Sequence, residues 1–498
     1  MAASANGVPA HRVDKRNFVK HLSRTQAATA WTNCIIATAQ CNWERLKLDL
    51  KLDGRAARGS DQVRWRSLAW VLVVCAFLGA LGSVVVLALA LTVSSDRRIE
   101  ASLLQAYDRG VLGQVLTSPY GDTHHAYDMW TECVSFSTDL SNTGDGLARR
   151  IIASPSLRRS GDTCRTLRDG LRSGSLQVDD TYLRFWHGYL AYTRPLLSIM
   201  SLENVRRLTG LLFSGALVFF GLRLARWVGP WTWLIAFPPF FLVGDFLTVP
   251  IVTSHALPLI WIFASVAITQ MILEHAPNAR ALLLPAYVFA AGMATNFLSL
   301  LFNPPLAPTL IGFVAIAGAL VQGRRDVWRE ALYAGGLIVL WFGGYFTEWV
   351  AKWALAASVF GTDVVVADLL GRIDVYDRMS NPGFLTATWA NFTPNSKFFL
   401  YIGVSIVIAL TSMAYGVARG RISRQDLAAF LSLLAPLATV IVWAEANSAH
   451  SLVHVGFVSR SFLLFSVIPL LAAALVWRRA VSDVGRLADR PEAIPHAA

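Results

Sequence analysis

The stretch Ser67–Val93, SLAWVLVVCAFLGALGSVVVLALALTV, decides the class of fold. Its 27 residues carry no charged side chain, and as a helix they cross a hydrocarbon core about 30 Å thick. The run is too long and too far from the start for a cleaved signal peptide, so it is expected to stay as an anchor. The remaining chain repeats the pattern. It is 54% hydrophobic and only 15% charged, with a mean hydropathy of +0.47, greasier than a soluble chain of this length. Apolar runs of about 20 residues place ten expected spans at 67–93, 208–224, 231–249, 252–273, 280–300, 306–322, 331–351, 398–416, 427–445 and 461–477. The third and fourth close around Pro250 as a hairpin or a broken pair. The fold class expected is therefore an all-α polytopic membrane protein.

Orientation follows from Lys and Arg in the short loops. The 1–66 segment is basic, and Arg223, Arg226, Arg324, Arg325, Arg329, Arg419, Arg421, Arg424, Arg478 and Arg479 all fall on one side if both termini are cytoplasmic. The long segment 94–207 then lies outside, and segments beyond about 60 residues are exempt from the rule. The first 66 residues, with Trp31, Ile35, Trp43, Leu46 and Leu50 in a weakly amphipathic stretch, are expected as a flexible cytoplasmic tail, and 478–498 as a second one.

The external segment 94–207 holds the densest polar chemistry. Asp128 and Glu132 stand four apart, on one face if helical. Like charges held close raise one pKa, which suits a general base, and such a pair can also share a divalent cation through oxygen ligands. His124, His125 and Asp122 precede them; the plainer reading is a solvated helix face. The stretch 182–197, YLRFWHGYLAYTRPLL, is expected to be a juxtamembrane helix, with Arg184, His187 and Arg194 on it and Arg194 suited to phosphate. Its aromatic residues also fit a simple interfacial anchor. Cys133 and Cys164 are both external, so they either form a disulfide over about 31 residues, adding about 3–4 kcal/mol, or stay as free thiols.

Polar residues within the spans gather at one end. Asp245, His255, Asn296, Asn303, Glu348, Lys352, Glu445 and Asn447 all fall at the external ends, and ionisable groups in lipid are costly enough to suggest purpose. The last external loop adds His450, His454 and Arg460, suited to an anionic group such as a lipid phosphate. A carrier needs polar groups near the midplane and a channel a lined pore; this pattern favours a site at the outer surface. The loop 361–396, with Asp363, Asp368, Arg372, Asp374, Asp377 and Arg378, reads as a solvated flap able to close over an acceptor. Asn391-Phe392-Thr393 fits the glycosylation sequon by chance.

Three motifs together resemble an uncharacterised family of bacterial multispanning membrane proteins associated with cell-surface polysaccharide loci. They are Tyr127-Asp128-x-x-Thr131-Glu132, the RFWHGY…RPLL stretch over 184–197, and His450-Ser451-x-x-His454-x-x-Phe457-x-x-Arg460. The chain departs from that pattern in having Glu132 in place of Asp and in the spacing of Asn447 from the His-Ser pair. The layout is also similar to the GT-C glycosyltransferases, which carry a catalytic acid in a large first external loop and use a polyprenyl-phosphate-sugar donor. That resemblance implies Asp128 and Glu132 as catalytic residues, with Arg184, His187, Arg194, Asp245, Glu445, His450, His454 and Arg460 binding substrate. It implies as partners membrane lipid, a polyprenyl-phosphate-linked sugar donor and a glycan or lipid acceptor; no nucleic acid is expected, and a divalent cation is the one cofactor the residues suggest. The expected location is the cytoplasmic (inner) membrane with the active site outside. The rival readings are a lipid-linked glycan flippase or other transporter, and a non-catalytic partner of polysaccharide assembly.

Overall fold

The computed structural model describes residues 60–113, 129–140, 146–157, 162–176, 180–243, 246, 249–276, 280–299, 303–324, 326–379, 383–394 and 396–488. Two compact units divide the chain at residues 67 and 68, and all that follows concerns the second except the opening turns of the first helix. The amphipathic stretch at 31–50, the His124/His125 pair, Asp128 and Asp245 lie outside the described residues.

The described chain is a helical membrane protein with one short β-ribbon. Helix α1 (Ser60–Val93) leads to a group of short elements ahead of the bundle: α2 (Asp96–Asp108), α3 (Met129–Asp139), α4 (Leu147–Ile152), β1 (Ser154–Ser156), α5 (Thr163–Ser173), β2 (Asp180–Tyr182) and α6 (Leu190–Leu197). The bundle continues with α7 (Leu202–Val228), α8 (Thr232–Pro238), α9 (Thr253–His275), α10 (Leu283–Leu298), α11 (Leu306–Val321) and α12 (Val327–Phe360). It ends with α13 (Thr362–Met379), α14 (Thr386–Phe392), α15 (Ser396–Ala418), α16 (Arg424–Leu434), α17 (Ala438–Ala446), α18 (Ser448–Val453), α19 (Val455–Phe462) and α20 (Leu464–Ala488).

Among the described residues six helices are long and apolar enough to cross a membrane: Arg66–Val93, Leu202–Val228, Thr253–His275, Ser396–Ala418, Arg424–Ala446 and Val458–Val481. Three expected spans are shorter apolar helices, Thr232–Phe241, Leu283–Leu298 and Leu306–Val321. Sixteen residues rise about 24 Å, less than the hydrocarbon core, and α11 is buried by protein along nearly its whole length. By contrast α1 exposes Trp70 at 71% and Phe77 at 68%, a surface that suits lipid rather than water.

Three expectations change. The third span, 231–249, is no single helix: α8 passes into one π turn, Pro239–Val243, before a 3-10 turn at Val249–Ile251, because Pro238, Pro239 and Pro250 supply no amide hydrogen. The expected flap at 361–396 is largely helical. Gly361, at φ 92°, ends α12 and lets α13 start at once. The segment 94–207, whose own core the Arg-rich sequence predicts to be poor, has an apolar one: Ile99, Leu103, Phe136, Leu167, Leu197 and Val205 pack together, and the Cys133–Cys164 disulfide joins α3 to α5.

Helix association in lipid rests on close packing rather than on hydrophobic transfer. At the tightest crossing, a Cβ on Gly292 of α10 would sit 2.0 Å from the carbonyl oxygen of Trp341, and one on Gly344 of α12 would sit 1.9 Å from that of Phe289. Backbone faces backbone on both sides, so neither can yield. Gly344→Ala is expected to cost about 3 kcal/mol or more, read as a lower melting temperature of the purified protein. Gly336→Ala, on the same helix in open space, should leave stability unchanged or raise it by up to about 1 kcal/mol.

Candidate functional site

The RFWHGY segment forms the frame. It is not helical: α6 begins only at Leu190, and His187 takes the left-handed region at φ 53°. The juxtamembrane helix expected over 182–197 is helical only from Leu190, and the residues before it form a turn bound to the bundle. Gly188 N donates to Phe297 O at 2.8 Å, where any Cβ would stand 2.4 Å from that oxygen. Trp186 Nε1 donates to Glu348 O at 3.0 Å and Trp349 Nε1 to Arg184 O at 2.8 Å. Lys352 Nζ donates to Ile152 O and lies 5.0 Å from the Trp186 ring centroid. Phe185, Trp186 and Tyr189 are buried, so they are packing elements and not interfacial anchors. Ser83 Oγ donates to Glu348 Oε1 at 2.6 Å, which fastens α1 to α12.

A cluster of basic side chains gathers where the residues around α18 and α19 meet the start of α9. The His450 and His454 rings are 4.6 Å apart. His454 and Arg460 both act electrostatically on His255, in the first turn of α9. His255 and Arg460 are buried. Thr253 Oγ1 and Ser254 Oγ, in the same turn, are buried with no hydrogen-bond partner. Three imidazoles, one guanidinium, two open hydroxyls and the positive end of a 23-residue helix form a setting suited to an anion. Nearby, Asn303 adopts φ 50° and accepts from Ser461 Oγ at 3.0 Å. Helix α3 packs on α9. A chain of side chains joins α3 to the RFWHGY turn: His187 Nδ1 to Tyr189 OH at 2.9 Å, and Tyr189 OH to Thr138 Oγ1 at 2.8 Å.

Other residues expected in the site are engaged elsewhere. Glu132 is buried and accepts from Arg206 Nη2 at 2.7 Å, beside the disulfide, so its carboxylate ties α3 to α7. Arg194 is buried and pairs with Asp96, and Arg184 lies 3.6 Å from Asp368 of α13. Both guanidiniums therefore serve protein carboxylates where a phosphate was expected. Glu445 accepts from Leu385 N, Thr388 N and Thr388 Oγ1, holding the start of α14. Asn391 is buried and donates to Ala387 O and Ser451 O, which closes the sequon to a glycan. Among the described residues no group of three or more His, Cys, Asp or Glu side chains could hold a metal ion. The acid pair imagined to share a divalent cation includes Asp128, outside those residues.

Sequence reading passed over Asp139, the last residue of α3. It is fully buried, and Thr193 Oγ1 donates to its Oδ1 at 3.1 Å. Burial pushes its carboxyl up to about 7; Arg194 and the Thr193 hydroxyl oppose the rise, and Asp96 adds to it. Folding therefore favours the protonated acid. That contribution is whole below pH about 4 and is lost as pH rises through about 7. The melting temperature is expected to fall across this window, and Asp139→Asn should flatten that part of the profile. Asp139 follows an apolar-polar run, VSFST, that gives no sign of burial. Ser254 and Thr253 were equally silent; only their place beside His255 marks them. No family model, curated relative or solved structure matches this chain.

Proposed function

We propose that this chain is a membrane glycosyltransferase of GT-C-like layout, moving a sugar from a polyprenyl-phosphate donor to a cell-envelope glycan or lipid acceptor at the outer face. In this reading ten helical segments cross the cytoplasmic membrane, both termini are cytoplasmic, and the external group roofs the site. The observation that carries it is the gathering of His454 and Arg460 at His255, with the His450 ring 4.6 Å from that of His454.

The chemistry then divides between two parts. Asp128, one residue before α3, takes the proton of the acceptor hydroxyl. The acceptor oxygen bonds to the anomeric carbon as the bond to the lipid phosphate oxygen breaks. Negative charge grows on that phosphate, and Arg460 with the histidines stabilises it as it develops. His187 and Tyr189 hold the roof to the bundle.

The test uses proteoliposomes and a radiolabelled polyprenyl-phosphate sugar, scoring sugar transfer against lipid translocation. Transfer by the wild-type protein supports the assignment. Translocation without transfer would favour the flippase reading instead, although the polar groups gathered at one end speak against a path through both halves.

A further inference from the structure

Helix α20 begins beside Arg460 and carries Arg478 near its far end. At that far end a groove of about 970 Å³ opens between α7, α8, α15 and α20. Its walls are largely apolar, with Ile235, Ile408, Leu470 and Trp477 among them, and Arg226 and Arg478 are its charged lining residues. Arg478 Nη1 donates to Arg226 O at 3.2 Å and to Trp227 O at 2.8 Å. These bonds to the last carbonyls of α7 fix the guanidinium in place.

The groove has the length of one leaflet. From Leu470 to Val481, both in its lining, eleven helical steps rise about 16 Å, close to half of a hydrocarbon core about 30 Å thick. Charge is just as one-sided. Arg223 engages the carboxylate of Glu274 directly and Arg226 approaches it at 3.8 Å, while Arg478 Nη1 donates to carbonyls of α7. An apolar slot one leaflet deep, crowned by excess guanidinium, matches a lipid with an anionic headgroup.

We propose that this groove seats an anionic phospholipid of the leaflet on that side, its acyl chain along α15 and α20 and its phosphate on Arg226 and Arg478. By the arginine pattern of the short loops this is the cytoplasmic leaflet. The site is separate from the outer cluster and does not depend on sugar transfer, so each can fail without the other.

The full chain, purified in mild detergent, is mixed with equal amounts of phosphatidylglycerol and phosphatidylethanolamine bearing the same acyl chains. Retained lipid is then counted by native mass spectrometry. Phosphatidylglycerol is expected to be retained about tenfold over phosphatidylethanolamine. The R226Q/R478Q protein should lose that preference, and Ala474→Trp, which fills the slot, should lose both lipids. Equal retention by the wild-type protein, or an undiminished preference in R226Q/R478Q, overturns the proposal.

Discussion

Asp128→Asn is expected to lower sugar transfer by about 100- to 10,000-fold while membrane insertion and melting temperature stay at wild-type values. The amide has the size of the carboxylate but cannot take the acceptor proton. Glutamate at the same position restores a base on a longer arm and should recover part of the rate. The physical case rests on position. Asp128 immediately precedes α3, the helix that packs on α9, whereas Glu132 one turn later is sealed by Arg206. Glu132→Gln should therefore act chiefly through stability. Full transfer activity in a well-folded Asp128→Asn protein would sink the assignment.

Arg460→Gln is expected to lower transfer by about 100- to 1,000-fold, the usual loss when one donor to a developing negative charge is removed. Arg460 is buried beside His255, where a charge acts in a low dielectric and is worth more than at the surface. The fall should appear mainly in kcat, because the phosphate gains most of its charge as the sugar leaves. Arg460→Lys keeps the charge without the fork and should sit between the two. A merely structural arginine would behave otherwise: lysine and glutamine would both lower the melting temperature, and the remaining folded protein would turn over at the normal rate.

How much of this was legible in advance differs from residue to residue. The pairing of His450 with His454 follows from a spacing of four on a turn of helix, and the structure brings their rings together. Arg460 lies close by in sequence and joins them. His255 was visible as a lone imidazole at a helix start, but nothing in a one-dimensional pattern says that it meets a loop 200 residues later. Arg194, Arg184 and Glu445 were misread for one reason. Each looked like an unpartnered charge beside aromatic or apolar neighbours, and each partner, Asp96, Asp368 or the backbone of α14, comes from a distant element. RFWHGY was read by its aromatic density as a helix. Its true form depends on Gly188 meeting Phe297 O and on Trp186 and Trp349 finding carbonyls, contacts that exist only after the bundle has assembled.

The sequence by itself determined the medium and the elements that live in it. Apolar runs as long as Ser67–Val93 leave only helices in lipid, since every backbone group must be satisfied within its own segment. It also determined which ends of those helices hold polar groups, because burying such groups elsewhere is too costly. Only the tertiary structure decided which charges neutralise one another and which stand together: Arg206 closes Glu132, Asp96 closes Arg194, and His255, His454 and Arg460 meet. Pattern along a chain reports the local cost of a side chain in its surroundings. Partnership depends on distances of a few ångströms between elements far apart in sequence, and those are set by backbone contacts such as Gly292 and Gly344 that carry no polar signal at all.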